Sequence, residues 1–171
     1  MSYVVWPYMK IEGSWTIPIE VMMGVWNRME ELDRVRATFY DGGIQNAGEF
    51  MGLMQSETIL PALVVSSEKI KLNLLAWLSD IDGGSALAHF CYLDKYKKEI
   101  TQMILDYWAK IPVLRVIMGI TPESYKVVLK IIQNAGFQIS GKIPELCDMY
   151  YENRIEAGVI SYYLMGVNQN V

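Results

Sequence analysis

Acid–base chemistry in this sequence of 171 residues centres on its one histidine, His89. An imidazole is the only side chain whose unperturbed pKa lies close to neutral pH, so His89 is the first candidate for a general base. If the run around it is a strand, His89 shares one face with Leu87, Cys91 and Leu93. A hydrogen-bonded structural histidine among apolar neighbours is the alternative interpretation, and the sequence leaves both open.

The two cysteines, Cys91 and Cys147, predict neither a disulfide framework nor a metal centre. Neither belongs to a CxxC pair, and a single histidine adds little to a set of metal ligands. Cys91 follows His89 by two residues, which raises acyl relay through a thiolate as an alternative to a buried, unreactive thiol. Two isolated thiols are typical of proteins in a reducing cytoplasm, where we expect this chain to act.

Composition and charge exclude several classes of partner. The length and the 52% apolar content predict one folded domain over residues 1–171. A net charge of −4 argues against nucleic-acid binding, which requires a basic stripe longer than the cluster of Lys95, Lys97 and Lys98. We expect no membrane span, because the richest apolar run, Ile59–Val65, is far shorter than the roughly 20 residues that a bilayer requires.

Large, soft side chains are abundant, with five Trp, eleven Tyr and eleven Met. They either fill the core or form a surface for self-association or for a partner protein, since Met and aromatic residues are enriched at such surfaces. Both interpretations stay open.

The stretch Pro112–Gly141 predicts a strand, a helix and a second strand. Val113–Ile120 is an almost continuous apolar run, which is typical of a strand covered on both faces. Thr121 is expected to cap the following helix, with Pro122 at its first position. Gly136 comes directly after the last apolar position of the helical period, where a left-handed residue ends a helix.

Apolar periodicity and turn residues predict the remaining elements. Asp82-Gly83 is a strong signal for a hairpin between the predicted strands Lys69–Ser79 and Ser85–Leu93. The predicted elements are an edge strand broken at Pro7, a helix from Pro18, a helix Ala47–Gln55, strands Pro61–Ser66, Lys69–Ser79 and Ser85–Leu93, a helix Lys97–Lys110, and a closing antiparallel pair, Met149–Tyr151 with Ile155–Met165, preceded by an interruption at Pro144–Cys147.

Several short motifs between Trp77 and Gly141 resemble one protein family. The resemblance is to the GNAT acyltransferase superfamily, and more closely to the GNAT-like proteins of phages and prophages. The motifs that carry it are Trp77-Leu78, Asp80–Gly84, Ala88-His89-Phe90, Thr121-Pro122-Glu123 and Ala135-Gly136-Phe137. It implies an α/β (α+β) fold in the order β-α-α-β-β-β-α-β-α-β-β, with a mainly antiparallel mixed sheet, four flanking helices, and parallel strands four and five that splay apart.

The resemblance also implies acetyl-CoA as cofactor. Its pantetheine arm would enter between Phe90–Leu93 and Met118–Ile120, and its pyrophosphate would rest at the start of the next helix. The segment that matches the family's glycine-rich phosphate loop, Leu93–Glu99, has no glycine. Either its lysines pair with the phosphates directly, or this is a solvated helix start. The implied cofactor-binding residues are Phe90, Cys91, Tyr92, Lys95, Lys97 and Lys98.

The family's catalytic residues match this sequence only in part. When the sequence is aligned on Gly136-Phe137, the family's Asn falls at Tyr125 and its general-acid Tyr falls at Ile132, which cannot donate a proton. The catalytic candidates are therefore His89 and Tyr125.

The resemblance thus implies an acetyl-CoA-dependent N-acyltransferase with an unknown amine acceptor. The alternative is a GNAT fold that has lost catalysis and serves as a structural or interaction protein, as a homodimer or with a virion protein as partner.

Overall fold

Seven strands form one mixed sheet in the computed structural model, which describes residues 2–67 and 70–166. The strands of the chain are β1 (Tyr3–Pro7), β2 (Lys10–Ile11), β3 (Ser14–Trp15), β4 (Leu60–Ser66), β5 (Lys71–Asp82), β6 (Ser85–Tyr92), β7 (Val116–Pro122), β8 (Gln138–Met149) and β9 (Arg154–Leu164). The helices are α1 (Ile19–Glu31), α2 (Val35–Thr38), α3 (Ala47–Met54), α4 (Lys98–Trp108) and α5 (Lys126–Asn134). The sheet order is β1-β4-β5-β6-β7-β9-β8, and β6 with β7 is a parallel pair in an otherwise antiparallel sheet.

The first half of the sheet follows the prediction closely. Pro7 ends β1 on the edge of the sheet, where a residue without an N–H disrupts no interior ladder. The hairpin predicted at Asp82-Gly83 is present between β5 and β6. Its turn lies one residue further on, at Gly83 and Gly84, whose φ angles are 55° and 91°. The strand predicted from Lys69 runs from Lys71 instead, and Lys69 itself lies outside the described residues.

Two short elements were not predicted. The hairpin of β2 and β3 turns at Glu12 and Gly13, which both have positive φ, and α2 consists of four residues. Strands of two residues and a single helical turn are too short to show a hydrophobic period. The four predicted helices are present, and with α2 the described residues 2–67 and 70–166 contain five α-helices.

The predicted start of α5 is wrong. Thr121 and Pro122 belong to β7, where they pair with Val159 and Gly158 of β9, and the helix begins only at Lys126. A residue before proline is biased away from the helical region toward extended backbone, which favours Thr121 in a strand. The predicted end of the helix is confirmed, because Gly136 follows it with a φ of 99°.

Helices cover both faces of the sheet. Helices α1 and α3 pack on one face around Trp26, Phe50 and Trp77. Helices α4 and α5 pack on the other face around Trp108 and Phe137. Neighbouring residues of β6 therefore point into two different cores.

The last strand pair closes the sheet. Strand β8 pairs with β9 along most of its length, with a register shift between Ile143 and Cys147 where the sequence predicts an interruption. Most of β8 is exposed.

Candidate active site

Strands β6 and β7 separate partway along their length. They pair only through Ser85–Leu87 and Val116–Met118. Beyond those residues β6 continues to Tyr92 and β7 to Pro122 without pairing to each other. The splayed parallel strands that the family resemblance implies are therefore confirmed, and they leave a gap in the middle of the sheet.

Main-chain groups of β6 point into this gap. The N–H of Leu93 donates to the carbonyl of Asn73, at 2.9 Å, so Leu93 faces β5. In an antiparallel ladder successive residues direct their N–H and C=O groups to opposite sides. Phe90 and Tyr92 therefore direct their N–H and C=O groups toward β7, and both residues lie beyond the last pair that joins β6 to β7. Cys91, which lies between them, faces β5.

Strand β7 presents main-chain groups from the opposite side of the gap. The N–H of Met165 donates to the carbonyl of Arg115, at 2.8 Å, so odd-numbered residues of β7 face β9. Ile120 therefore directs its N–H and C=O toward β6. The two walls of the gap thus present hydrogen-bonding groups that have no partner strand.

A cavity of about 760 Å³ lies at the gap, and side chains from both faces of the sheet line it. On the face covered by α1 and α3 it is bordered by aromatic side chains and His89, and on the other face by aliphatic side chains of α5 and by Phe137. The aromatic wall consists of Phe39, Tyr40, Trp77 and Tyr125, and the aliphatic wall of Val127, Val128, Ile131 and Ile132.

His89 is held by two contacts. Its ring stacks on Trp77, with 4.7 Å between ring centroids and 4° between the planes. Its Nε2 lies 3.0 Å from Oγ of Ser79. Burial lowers the pKa of His89 to about 4, although the nearby carboxylates of Asp80 and Asp41 oppose that shift. The imidazole is therefore neutral at pH 7.

Cys91 has the properties of a structural thiol. Its side chain is 2% exposed, and burial raises the pKa of the thiol to about 11. A thiol with so high a pKa carries almost no thiolate at neutral pH.

Tyr125 and Tyr40 both line the cavity and meet edge to face, with ring centroids 6.2 Å apart. Tyr125 occupies the cap position before α5, and burial raises its pKa, so the phenol stays protonated at neutral pH. Ile132 lines the cavity and is 9% exposed.

The three lysines after β6 occupy different surroundings. Lys95 lines the cavity. Lys97 donates a hydrogen bond of 2.5 Å to the hydroxyl of Tyr3 and lies over its ring. Lys98 is the exposed first residue of α4. Of this cluster, only Lys95 borders the cavity.

Asp94 beside these lysines is neutralised by Lys71, whose Nζ lies 2.6 Å from Oδ2 of Asp94. The hydrogen bond from Lys71 lowers the pKa of this carboxyl. Sequence reasoning missed Lys71, because this contact joins residues 23 positions apart. It also missed Ser79 and Tyr40, which carry no motif.

Two negative findings concern the described residues. Within residues 2–67 and 70–166, no group of three or more His, Cys, Asp or Glu side chains is arranged to hold a metal ion. No helix in the same ranges is long and apolar enough to cross a membrane.

Solved structures of acetyltransferases resemble this chain over nearly its whole length. Spermidine N-acetyltransferase from Vibrio cholerae, in complex with CoA and spermine, is 13% identical, with a TM-score of 0.72 and coverage of 95% of each chain. The ribosomal-protein-S5-alanine acetyltransferase from Vibrio fischeri is 12% identical, with a TM-score of 0.70 and coverage of 96% of this chain and 94% of the other. No protein-family model matches the sequence, and no curated protein matches it.

Proposed function

We propose that this chain, which has a GNAT-like fold, is an acetyl-CoA-dependent N-acyltransferase acting on an amine. The observation that carries the proposal is the gap between β6 and β7, with its unpaired main-chain groups and the cavity that lies at it. A pantetheine arm is a chain of amides, so it satisfies such groups as a third strand would. As part of the same proposal, residues 1–171 act as one domain in the cytoplasm.

Acetyl-CoA would supply the activated acyl group. In this proposal Phe90 and Tyr92 bind the arm through their main-chain groups, and one of their N–H groups stabilises the negative charge that develops on the acyl oxygen. Cys91 contributes its backbone to the same strand without exposing its thiol. The aromatic wall on the α1 side then bounds the space from which the acceptor approaches.

Two side chains are proposed for proton transfer. Neutral His89 accepts a proton from the acceptor nitrogen, and the low pKa of its imidazole keeps it in the form that can do so. Tyr125, protonated at neutral pH, supplies a proton to the departing sulfur. This assignment gives Tyr125 the role that the family's tyrosine has at the position of Ile132.

Lysine side chains would replace the missing glycine-rich cradle. Lys95, on the border of the cavity, and Lys98, at the start of α4, are proposed to pair with the phosphates. The pairing of Asp94 with Lys71 supports this, because it offsets a negative charge that would repel them. The role predicted for Lys97 stays a prediction, since its ammonium is bonded to Tyr3.

Calorimetric titration with acetyl-CoA tests the proposal directly, followed by assays for free thiol with a panel of primary amines. We expect saturable binding and amine-dependent thiol release. The two similar structures point to different amines, since one contains spermine and the other enzyme is named for a protein alanine. The panel therefore includes polyamines and peptides with a free amino terminus. If millimolar acetyl-CoA gives neither heat nor a shift in melting temperature, the enzymatic proposal fails.

A second candidate function is a structural or interaction protein of phage origin. Exposed apolar side chains on β8, β9 and the segment between them favour it, since Ile143 is 48% and Ile155 is 62% exposed. Sedimentation at two concentrations tests for a homodimer, and copurification with particle proteins tests for a virion partner. A strict monomer that turns over acetyl-CoA would contradict this second candidate.

A further inference from the structure

A bulge beside the cavity brings together two side chains that a regular strand would separate. Neighbouring residues of a strand point to opposite faces, yet Oγ of Ser79 donates to Oδ2 of Asp80 at 2.9 Å. The register of β5 against β6 shifts between Ser79 and Asp82, and Asp80 has a φ of 48°. Bulges redirect side chains in this way and are frequent next to active sites. Here the bulge aims a carboxylate at Ser79.

The resulting hydrogen-bond chain determines which nitrogen of His89 carries the proton. A carboxylate can only accept, so the hydroxyl proton of Ser79 is directed to Asp80. The hydroxyl oxygen of Ser79 then accepts from Nε2 of His89, 3.0 Å away. Nε2 must therefore carry the hydrogen, which leaves the lone pair of the neutral ring on Nδ1.

Nδ1 is free to accept a proton. Within residues 2–67 and 70–166 it makes no hydrogen bond, and the ring that carries it borders the cavity. Stacking on Trp77 fixes the plane of the ring. Orientation and tautomer are thus both set before any substrate binds.

We propose that Ser79 and Asp80 are positioning residues that prepare His89 as the base of the transfer. This inference rests on the proposed function. As the bond from the amine nitrogen to the acyl carbon forms and the carbon–sulfur bond breaks, the amine proton moves to Nδ1. The imidazolium is stabilised through Ser79 by the carboxylate of Asp80. His89 later returns this proton to solvent, while Tyr125 protonates the departing sulfur and recovers a proton from solvent.

The tautomer can be observed directly, because the chain has one histidine and so one imidazole signal set. In protein labelled with ¹⁵N at histidine, long-range ¹H–¹⁵N spectra at pH 7 distinguish Nε2–H from Nδ1–H. We expect Nε2–H in the unmodified chain. Asp80→Gly removes the carboxylate while suiting the positive φ, and we expect it to give a mixture of tautomers. An Nδ1–H ring in the unmodified chain, or an unchanged spectrum in Asp80→Gly, overturns the proposal.

A matched pair of variants separates charge from geometry. Asp80→Asn keeps an oxygen that accepts from Ser79 but lacks the charge, so we expect the Nε2–H tautomer to persist while kcat falls roughly tenfold at unchanged KM for acetyl-CoA. Asp82→Asn, at another exposed position two residues further along β5, should change neither property. Equal kcat values for the two variants would overturn the stabilising role of Asp80. If the unmodified protein shows no turnover, the proposed function and the base role of His89 both fail. The spectra test separately whether Ser79 and Asp80 set the tautomer of His89.

Discussion

Leu87 and Met118 form the last residue pair that joins β6 to β7, and the main-chain groups of the candidate site lie beyond it. Two parallel strands normally continue their ladder until one of them ends. Here both strands continue for several residues after the pairing stops, because β5 and β9 hold them from outside. The gap is therefore part of the sheet itself.

Filling the gap should abolish binding of acetyl-CoA. Ala88 follows the last paired residue of β6, is half-buried, and lines the cavity. In Ala88→Phe the ring occupies the space beside the unpaired main-chain groups. We expect the Kd for acetyl-CoA to rise by a factor of roughly ten or more, about 1.4 kcal/mol, as measured by calorimetry.

Ala109→Phe is the matched control for this prediction. Ala109 is exposed at the end of α4, away from the cavity lining, so the same substitution there should leave the Kd unchanged. Equal affinities of the two variants would show that acetyl-CoA does not use the gap.

The phosphate role of Lys95 predicts a charge effect that depends on salt. Reversing the charge in Lys95→Glu should raise the Kd for acetyl-CoA about fivefold at low salt, since an exposed pair contributes up to about 1 kcal/mol. The effect should shrink at high salt. Lys110 is an exposed lysine after α4, and Lys110→Glu is the control. An effect of equal size there would mean that Lys95 acts only through the net charge of the protein.

The sequence predicts the sheet better than it predicts the site. Hydrophobic periods and turn residues are local signals, so the hairpin at Gly83 and the end of α5 at Gly136 follow from them. The start of α5 was misjudged because Thr121 and Pro122 satisfy the rules for a helix cap, whereas pairing with β9, a distant strand, decides their conformation.

Site geometry depends on contacts that no local pattern encodes. The ion pair of Lys71 with Asp94 joins residues on different elements. The bulge at Asp80 adds a residue to one strand without changing the apolar pattern that predicts it. The types of residue at the site are therefore visible in the sequence, while their partners are not.

His89 should make the stability of the chain sensitive to mild acid. The pKa of its imidazole is about 4 in the folded chain, against an ordinary value of 6.5. Between these values the unfolded chain binds more protons, so the free energy of unfolding decreases as the pH falls. From pH 7 to pH 5 this contribution amounts to at most about 2 kcal/mol.

Urea unfolding at the two pH values measures this effect. We expect the unmodified chain to lose about 1–2 kcal/mol more than His89→Gln, which has no imidazole to titrate. All other groups are the same in both proteins, so their titration cancels in the comparison. Equal losses in the free energy of unfolding of the two proteins would mean that His89 is not desolvated in solution.

Proton donation to the departing sulfur gives the last prediction. If Tyr125 is the acid, Tyr125→Phe should lower kcat roughly tenfold or more with little change in KM for acetyl-CoA, because the ring remains and only the hydroxyl is lost. Ile132 lines the same cavity at the position where the family's tyrosine aligns. Adding Ile132→Tyr to Tyr125→Phe should therefore restore part of the lost turnover.

Ile132→Phe in the same background is the control for size. A ring at this buried position costs about 1–3 kcal/mol of stability through overpacking, whether or not it carries a hydroxyl. Only a tyrosine can return a proton, so turnover recovered by Tyr and not by Phe identifies acid catalysis from α5. Full activity in Tyr125→Phe, or equal recovery by Phe and Tyr at position 132, would contradict the assignment and leave solvent as the proton source for the sulfur.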